Sequence, residues 1–256
     1  MVDIKASHGY VTIIMPAYNC ELYIETAIRS VINQTYNYWK LIVVNDNSTD
    51  STCEIVEKIS AEDQRVMLVH NTGNKGAASA RNFGIDICSS EYIAFLDGDD
   101  IWEPDKLETQ LHEMQQKNAD MSYTSYAIVD ENGDQKRNTY IVPGSVTFEK
   151  LLNENVIGCS TVVMSGKLAQ KYRFPTDFYH EDYCLWLKIL CDDHKVIGCP
   201  QVLVKWRLIS NSRSFNKKNS ALNRWKIYRQ YLNLSLMKSS SAFLKYTVNG
   251  LRKYLK

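Results

Sequence analysis

No stretch of the 256-residue sequence approaches the roughly 20 consecutive apolar residues that a helix needs to cross a bilayer. The first residues, Met1-Val2-Asp3-Ile4-Lys5, carry no apolar signal core. These absences lead us to expect a cytoplasmic protein that is soluble or held at the inner face of the cell membrane. Among the seven cysteines, Cys20, Cys53, Cys88, Cys159, Cys184, Cys191 and Cys199, there is no CxxC pair and no Cys/His ligand cluster. That argues against a zinc site and suits small apolar fillers in a reducing compartment. A GxGxxG turn is missing after the first apolar run, where Pro16-Ala17-Tyr18-Asn19 stands instead, which argues against a nicotinamide-dependent dehydrogenase. Gly166-Lys167 has no glycine five residues earlier, so there is no phosphate loop, and no internal repeat is found. Acidic residues are missing altogether from Lys205 to Lys256, where 13 Lys or Arg occur. The preceding 204 residues carry 29 acidic and 17 basic side chains, so the net charge of +1 conceals a split.

What is present is an alternation of apolar runs and amphipathic stretches. Residues 11–15, 41–44, 66–70 and 92–96 read as buried strands, and 21–34, 51–60 and 77–88 as the helices between them. This spacing predicts βαβ units and an α/β fold with a Rossmann-like, mostly parallel sheet flanked by helices. Further on, 104–118, 148–153 and 182–191 read as helices, 159–164 and 202–208 as strands, and Asp130-Glu131-Asn132-Gly133-Asp134 as a hairpin-like turn. We expect a catalytic domain over 1–211 and a basic, amphipathic helical extension over 212–256, broken near Ser239-Ser240-Ser241. Leu222, Trp225, Tyr228 and Leu232, and then Phe243, Thr247, Leu251 and Tyr254, recur at steps of three or four. Aromatic residues beside cations point the extension to an anionic membrane surface rather than to nucleic acid; a solvated face and a contact in a homo-oligomer are the alternatives.

Ligands of such a sheet bind beyond the carboxyl ends of its strands. Polar residues stand at those ends: Tyr18 and Asn19, then Asp46, then Asp97 and Asp99. Asp97-Gly98-Asp99 follows a buried strand, and two carboxylates at i and i+2 can reach one hard divalent cation. Such an ion would stabilise a diphosphate leaving group. Asp46 can accept the imide N–H of a uracil ring, Lys75 and Gly76 precede a helix where backbone N–H groups meet phosphate, and Arg81 lies within that helix. Glu181 and Asp182 open another helix; either they favour its dipole, or one serves as a general base.

The runs Val11-Thr12-Ile13-Ile14-Met15-Pro16-Ala17-Tyr18-Asn19, Val44-Asn45-Asp46-Asn47-Ser48-Thr49-Asp50, Asn74-Lys75-Gly76 through Ala80-Arg81-Asn82, Phe95-Leu96-Asp97-Gly98-Asp99-Asp100 and His180-Glu181-Asp182 with Leu185-Trp186-Leu187 resemble, in order, the motifs of family 2 glycosyltransferases of the GT-A fold. The resemblance implies a nucleotide-diphospho-sugar donor, of the UDP-sugar kind, a divalent metal (Mn²⁺ or Mg²⁺) and inversion at the anomeric carbon. It implies that Asp46 recognises the base, that Asp99 with Asp97 holds the metal, and that Asp182 is the catalytic base. Pro16, Ala17, Tyr18, Asn19, Lys75, Gly76, Arg81 and Glu181 would line the donor site, with 1–100 as its half and 101–211 as the acceptor half. Asn45 and Asn47 replace the usual acid and glycine around Asp46; Asn tolerates the left-handed turn that glycine would take. No Gln-x-x-Arg-Trp motif of processive synthases occurs, so a single addition is expected. The runs around Asn155-Val156-Ile157-Gly158-Cys159-Ser160-Thr161 and Trp206-Arg207-Leu208 are similar to teichuronic-acid and capsule-type bacterial transferases, which implies a lipid-linked glycan acceptor of the cell envelope. A non-catalytic sugar-binding protein of the same fold is the alternative.

Overall fold

The computed structural model describes residues 9–73, 75–136, 139–209 and 217–254. Asn74 and residues 210–212, including the expected boundary at 211/212, lie outside them. Four parallel strands begin the sheet: β1 (Val11–Ala17), β2 (Trp39–Asn45), β3 (Val66–His70) and β4 (Tyr92–Phe95). They are joined by α1 (Ile24–Ile32), α2 (Thr52–Glu62) and α3 (Ala77–Asp86). Their alternate side chains separate into two cores, as the period of a strand demands. Ile13, Met15, Leu41, Val43, Ala94 and Leu96 face α1 and α2, whereas Ile14, Ile42, Val44, Ile93 and Phe95 face α3 and the later helices. Each fully buried aliphatic chain contributes about 1.5–3 kcal/mol. Helix α3 lies close on β1 because Gly84 has no side chain; a Cβ there would sit 2.6 Å from Ile14 Cγ2.

The second half adds β5 (Ile101–Trp102), α4 (Lys106–Lys117), β6 (Met121–Val129), α5 (Phe148–Asn153), β7 (Val163–Ser165), α6 (Gly166–Lys171), α7 (Glu181–Cys191) and β8 (Val196–Arg207). The eight strands form one sheet in the order β3-β2-β1-β4-β7-β6-β8-β5. β7 is antiparallel to both neighbours, and β6 and β8 are parallel, so the expected mostly parallel sheet is present. Three local expectations are corrected. Pro16 does not stop β1, because β1 runs past the end of β4 there and only β2 pairs with it. Cys159–Thr161 is a 3-10 turn rather than the start of a strand: Ser160 and Thr161 are drawn into buried hydrogen bonds with neighbouring elements. Pro104 lies before α4, not within it.

The extension forms α8 (Lys217–Lys226), which continues as a π-helical segment (Ile227–Tyr231), and α9 (Leu236–Tyr254). The break falls between Tyr231 and Leu236, not at the serines; Ser239 is buried and its hydroxyl donates to the Ser235 carbonyl one turn back. Helix α7 is apolar nearly all round, from Tyr183 to Leu187, and therefore needs cover on two sides. The extension supplies one of them. Tyr228 donates to the Leu152 carbonyl at 2.6 Å, and Tyr183 of α7 donates to Leu151 and Leu152 of α5. Arg224 is inserted between the rings of Tyr183 and Tyr246, 3.8 and 4.4 Å from their centres. Part of the expected stripes is packing face: Tyr228 is buried, and Trp225 and Phe243 meet edge to face, whereas Leu222 and Thr247 are exposed. Among the described residues no helix is long and apolar enough to cross a membrane.

Candidate active site

The carboxyl ends of β1 and β2 are tied together before any substrate is considered. Asp46 N–H donates to the Ala17 carbonyl, and Asn19 takes a left-handed backbone (φ 47°) from which its side-chain oxygen accepts the Thr49 N–H. Asn47, the departure noted above, stands at φ 65°, the conformation expected of it. Asp46 is buried; its carboxylate accepts from Asn71 Nδ2 at 3.1 Å and from the Gly76 N–H at 2.6 Å. It therefore anchors the N-terminus of α3, a role not read from the sequence. Gly76 has φ 111°, which L side chains rarely adopt. Pro16 is half-buried and Ala17 buried; Tyr18, Asn19 and Lys75 are exposed around this mouth.

Arg81 is the junction. It is 3% exposed, and its two terminal nitrogens donate to Asp97 Oδ1 at 2.6 Å and to Glu181 Oε1 at 2.9 Å. Its guanidinium also lies 5.3 Å from the centre of the Phe174 ring. One planar fork thus links the acidic loop after β4 to the first turn of α7, 100 residues from Arg81 in sequence. Arg81 is thus a buried bridge between two segments.

The acids of Asp97-Gly98-Asp99-Asp100 are sorted by their partners. Asp97 is paired with Arg81 and partly exposed. Asp100 is 1% exposed; it accepts from the Ser160 hydroxyl at 2.5 Å and from the Arg207 N–H at 2.9 Å. Burial and the neighbouring Asp99 and Asp97 charges hold its carboxyl well above the usual range. Arg207 also donates through its side chain to the carbonyls of Asp99, Asp130 and Glu131, so it pins the loop by its backbone. Trp102 Nε1 donates to the Ser160 carbonyl, and Ser160 accepts the Asp97 N–H. Asp100, Ser160 and Arg207 were not singled out from sequence; an Arg closing an apolar strand was the available signal.

Asp99 has no ion-pair partner among the described residues, and burial followed by the charge of Asp97 pushes its carboxyl up to about 6. A divalent cation would relieve both effects, and the donors are carboxylate oxygens, so the residues fit a hard ion. Among the described residues no group of three or more His, Cys, Asp or Glu side chains is placed to hold a metal ion. Such an ion would therefore complete its shell with water and substrate phosphate, as Mg²⁺ and its like commonly do. Asp182, beside the bridged Glu181, is partly exposed and accepts the Tyr183 N–H. Burial and the Glu181 charge raise its carboxyl to about 6, against the opposing pull of Arg81.

Comparison with known proteins identifies the family and the fold. The family model described as "Glycosyl transferase family 2" matches residues 12–172. WfgD of Escherichia coli, a UDP-Glc:alpha-D-GlcNAc-diphosphoundecaprenol beta-1,3-glucosyltransferase, is 39% identical over 95% of this chain and 94% of its own. TuaG of Bacillus subtilis, a glycosyltransferase named for teichuronic acid biosynthesis, is 34% identical over 96% and 97%. Among solved structures, residues 1–349 of S. aureus TarS in complex with UDP-GlcNAc superpose with a TM-score of 0.74 at 19% identity, covering 93% of this chain and 71% of that one. The mannosyltransferase PcManGT from Pyrobaculum calidifontis, in complex with GDP-Man and Mn²⁺, gives 0.70 at 17%, covering 93% and 69%. The fold is GT-A, and the chain belongs to glycosyl transferase family 2 and is a glycosyltransferase.

Proposed function

We propose that this enzyme moves a sugar from a nucleotide-diphospho-sugar, a UDP-sugar by preference, to a hydroxyl of a lipid-linked cell-envelope glycan, in one displacement with inversion. The observation that carries this reading is the Arg81 bridge. It holds the acidic loop and the head of α7 together and leaves Asp99 and Asp182 as the two partly exposed acids without ion-pair partners there. In this reading Asp99, with Asp97, would hold a divalent metal, which supplies charge stabilisation for the departing diphosphate. Asp182 takes the proton from the acceptor hydroxyl as that oxygen attacks; its raised pKa lies close to the operating range of a general base. Arg81 and Glu181 are positioning residues that hold Asp97 and the first turn of α7 in register. Asp46 keeps lone pairs beyond its two bonds for the imide of a uracil, with Tyr18, Asn19, Pro16, Ala17, Lys75 and Gly76 around the nucleotide. Residues 1–100 form the donor half and 101–211 the acceptor half. The acceptor class is supported by WfgD, whose name specifies a diphosphoundecaprenol-linked acceptor.

The test is transfer from a panel of nucleotide sugars, with Mn²⁺ or Mg²⁺, to a sugar-diphospho-lipid, with the anomeric configuration of the product read by NMR. Inverted product that disappears with EDTA is expected. Retained configuration would refute the single displacement, and full activity in EDTA would refute the metal.

A further inference from the structure

Helix α9 has two unlike faces. Ser239 and Ala242 are buried against the body of the enzyme, with Phe243 and Tyr246 half-buried beside them. Met237, Leu244 and Val248 follow one another at steps of seven and four, so at 100° per residue they form one stripe, roughly opposite Ala242 and Tyr246. They are 84%, 66% and 39% exposed. Lys238 and Lys245, both exposed, border this stripe, and Ser241 lies between it and them. Scattered apolar side chains on a surface need no explanation, but an aligned stripe beside cations is the pattern of a helix lying in a membrane interface. Charge selects the partner. No Asp or Glu occurs from Lys205 to Lys256, so nothing in the extension repels an anionic surface. The helix is also too polar to cross a bilayer, which leaves it lying along one.

We propose that Met237, Leu244 and Val248, with Lys238 and Lys245, dock the enzyme on an anionic lipid surface. This stripe is not the one anticipated from periodicity, of which Tyr228 is buried and Trp225 and Phe243 are half-buried. The inner face of α9 rests on α5, which packs on α7, so docking sets the position of Asp182 relative to the bilayer. The inference stands on the stripe itself; the lipid-linked acceptor of the proposed function supplies only its purpose.

Removing the extension is a poor test, since Ile227 and Tyr228 are fully buried and the cut would open the core. Point changes on the full chain avoid this. Wild-type protein, the triple variant Met237→Glu/Leu244→Glu/Val248→Glu, the single variant Leu244→Glu and the pair Lys238→Ser/Lys245→Ser are sedimented with vesicles. These contain phosphatidylcholine alone or mixed with phosphatidylglycerol, at low and high salt. UDP binding with Mn²⁺ and circular dichroism are followed in parallel. We expect wild-type binding to the anionic vesicles that weakens with salt, a fall of at least about tenfold in the triple variant, and a smaller fall in Leu244→Glu. Each lysine removed should cost about fivefold. UDP binding should be unchanged in all variants, so a failed donor assignment would show as absent UDP binding in the wild type and leave the vesicle result intact. Equal vesicle binding by wild type and a folded triple variant would overturn the proposal. So would a wild type that ignores anionic vesicles, or light scattering that shows the triple variant breaking a dimer, which would assign the stripe to a second copy of this chain.

Discussion

The acid limb of the pH–rate profile should belong to Asp182, and its neighbours should move it in opposite directions. Burial, then the Glu181 charge, raise this carboxyl to about 6, while Arg81 pulls it down and Asp97 adds a smaller upward push. A general base works only when deprotonated, so kcat/KM for the acceptor should be flat above that value and fall below it. At pH 5 only about a tenth of the enzyme would carry the ionised base, and the rate should be about a tenth of the plateau. Glu181→Gln removes the nearest like charge and leaves Arg81 less compensated; both effects favour the anion, so the limb should shift to lower pH. Arg81→Met removes the opposing cation and leaves Glu181 and Asp97 unbalanced, so the limb should shift to higher pH. Asp182→Asn should lower the plateau by about 10²–10⁴ and erase the limb. The assay is initial-rate transfer at saturating donor and Mn²⁺ from about pH 5 to pH 8, with folding checked at each pH. If the two neighbours shift the limb in the same direction, or if Asp182→Asn keeps it, the base is another group.

Asp99→Ala should abolish transfer and the metal dependence of UDP binding. The metal-free protein should melt no lower than wild type, because the change relieves a like-charge contact; a large fall in Tm would assign Asp99 to the architecture instead. Arg81→Met removes the buried salt bridge to Glu181, a loss of about 3–5 kcal/mol and a fall in Tm on the order of 10 °C, and Arg81→Lys should recover only part of it; calorimetry reads both. Arg224→Met should be nearly neutral, within about 1 kcal/mol, because it keeps an apolar stem between Tyr183 and Tyr246 and removes Nε and Nη1, which find no hydrogen-bond partner among the described residues. A loss as large as that of Arg81→Met would show that the charge itself is needed there.

The sheet was legible because its central strands are continuous apolar runs, and the acids were legible because they interrupt those runs where parallel strands end. Residues whose roles are set across the fold were not. Ser160 reads as part of a β-branched run, Cys-Ser-Thr-Val-Val, yet its hydroxyl is held by Asp100 and its carbonyl by Trp102, and the chain turns to meet both. Asp100 and Asp99 are adjacent in sequence and differ only in what folds over them. In the extension, periodicity found the helices but placed the break at three serines, which look like a linker. Ser239 instead satisfies its hydroxyl on the Ser235 carbonyl one turn back, and the chain breaks at Leu232-Asn233-Leu234-Ser235, where Asn233 has φ 50°.

The same tertiary sorting explains why the site holds charge for a ligand rather than for itself. Five carboxylates, Asp97, Asp99, Asp100, Glu181 and Asp182, surround two guanidiniums, Arg81 and Arg207. Both guanidiniums serve the architecture: the terminal nitrogens of Arg81 bond Asp97 and Glu181, and the side chain of Arg207 is bound to three backbone carbonyls. Among the described residues no cation forms a salt bridge with Asp99 or Asp182, and burial and like charge raise both carboxyls to about 6 against the weaker pull of the arginines. A diphosphate could not approach such a surface alone, because it would add negative charge to an acidic, poorly solvated cleft. In the proposed reading a divalent cation on Asp99 would reverse the balance at that end, while Asp182 would remain available as the base at the other. The Arg81 fork therefore does more than hold two segments together. By bonding Asp97 and Glu181, it leaves Asp99, the proposed metal ligand, and Asp182, the proposed base, without a salt bridge of their own among the described residues.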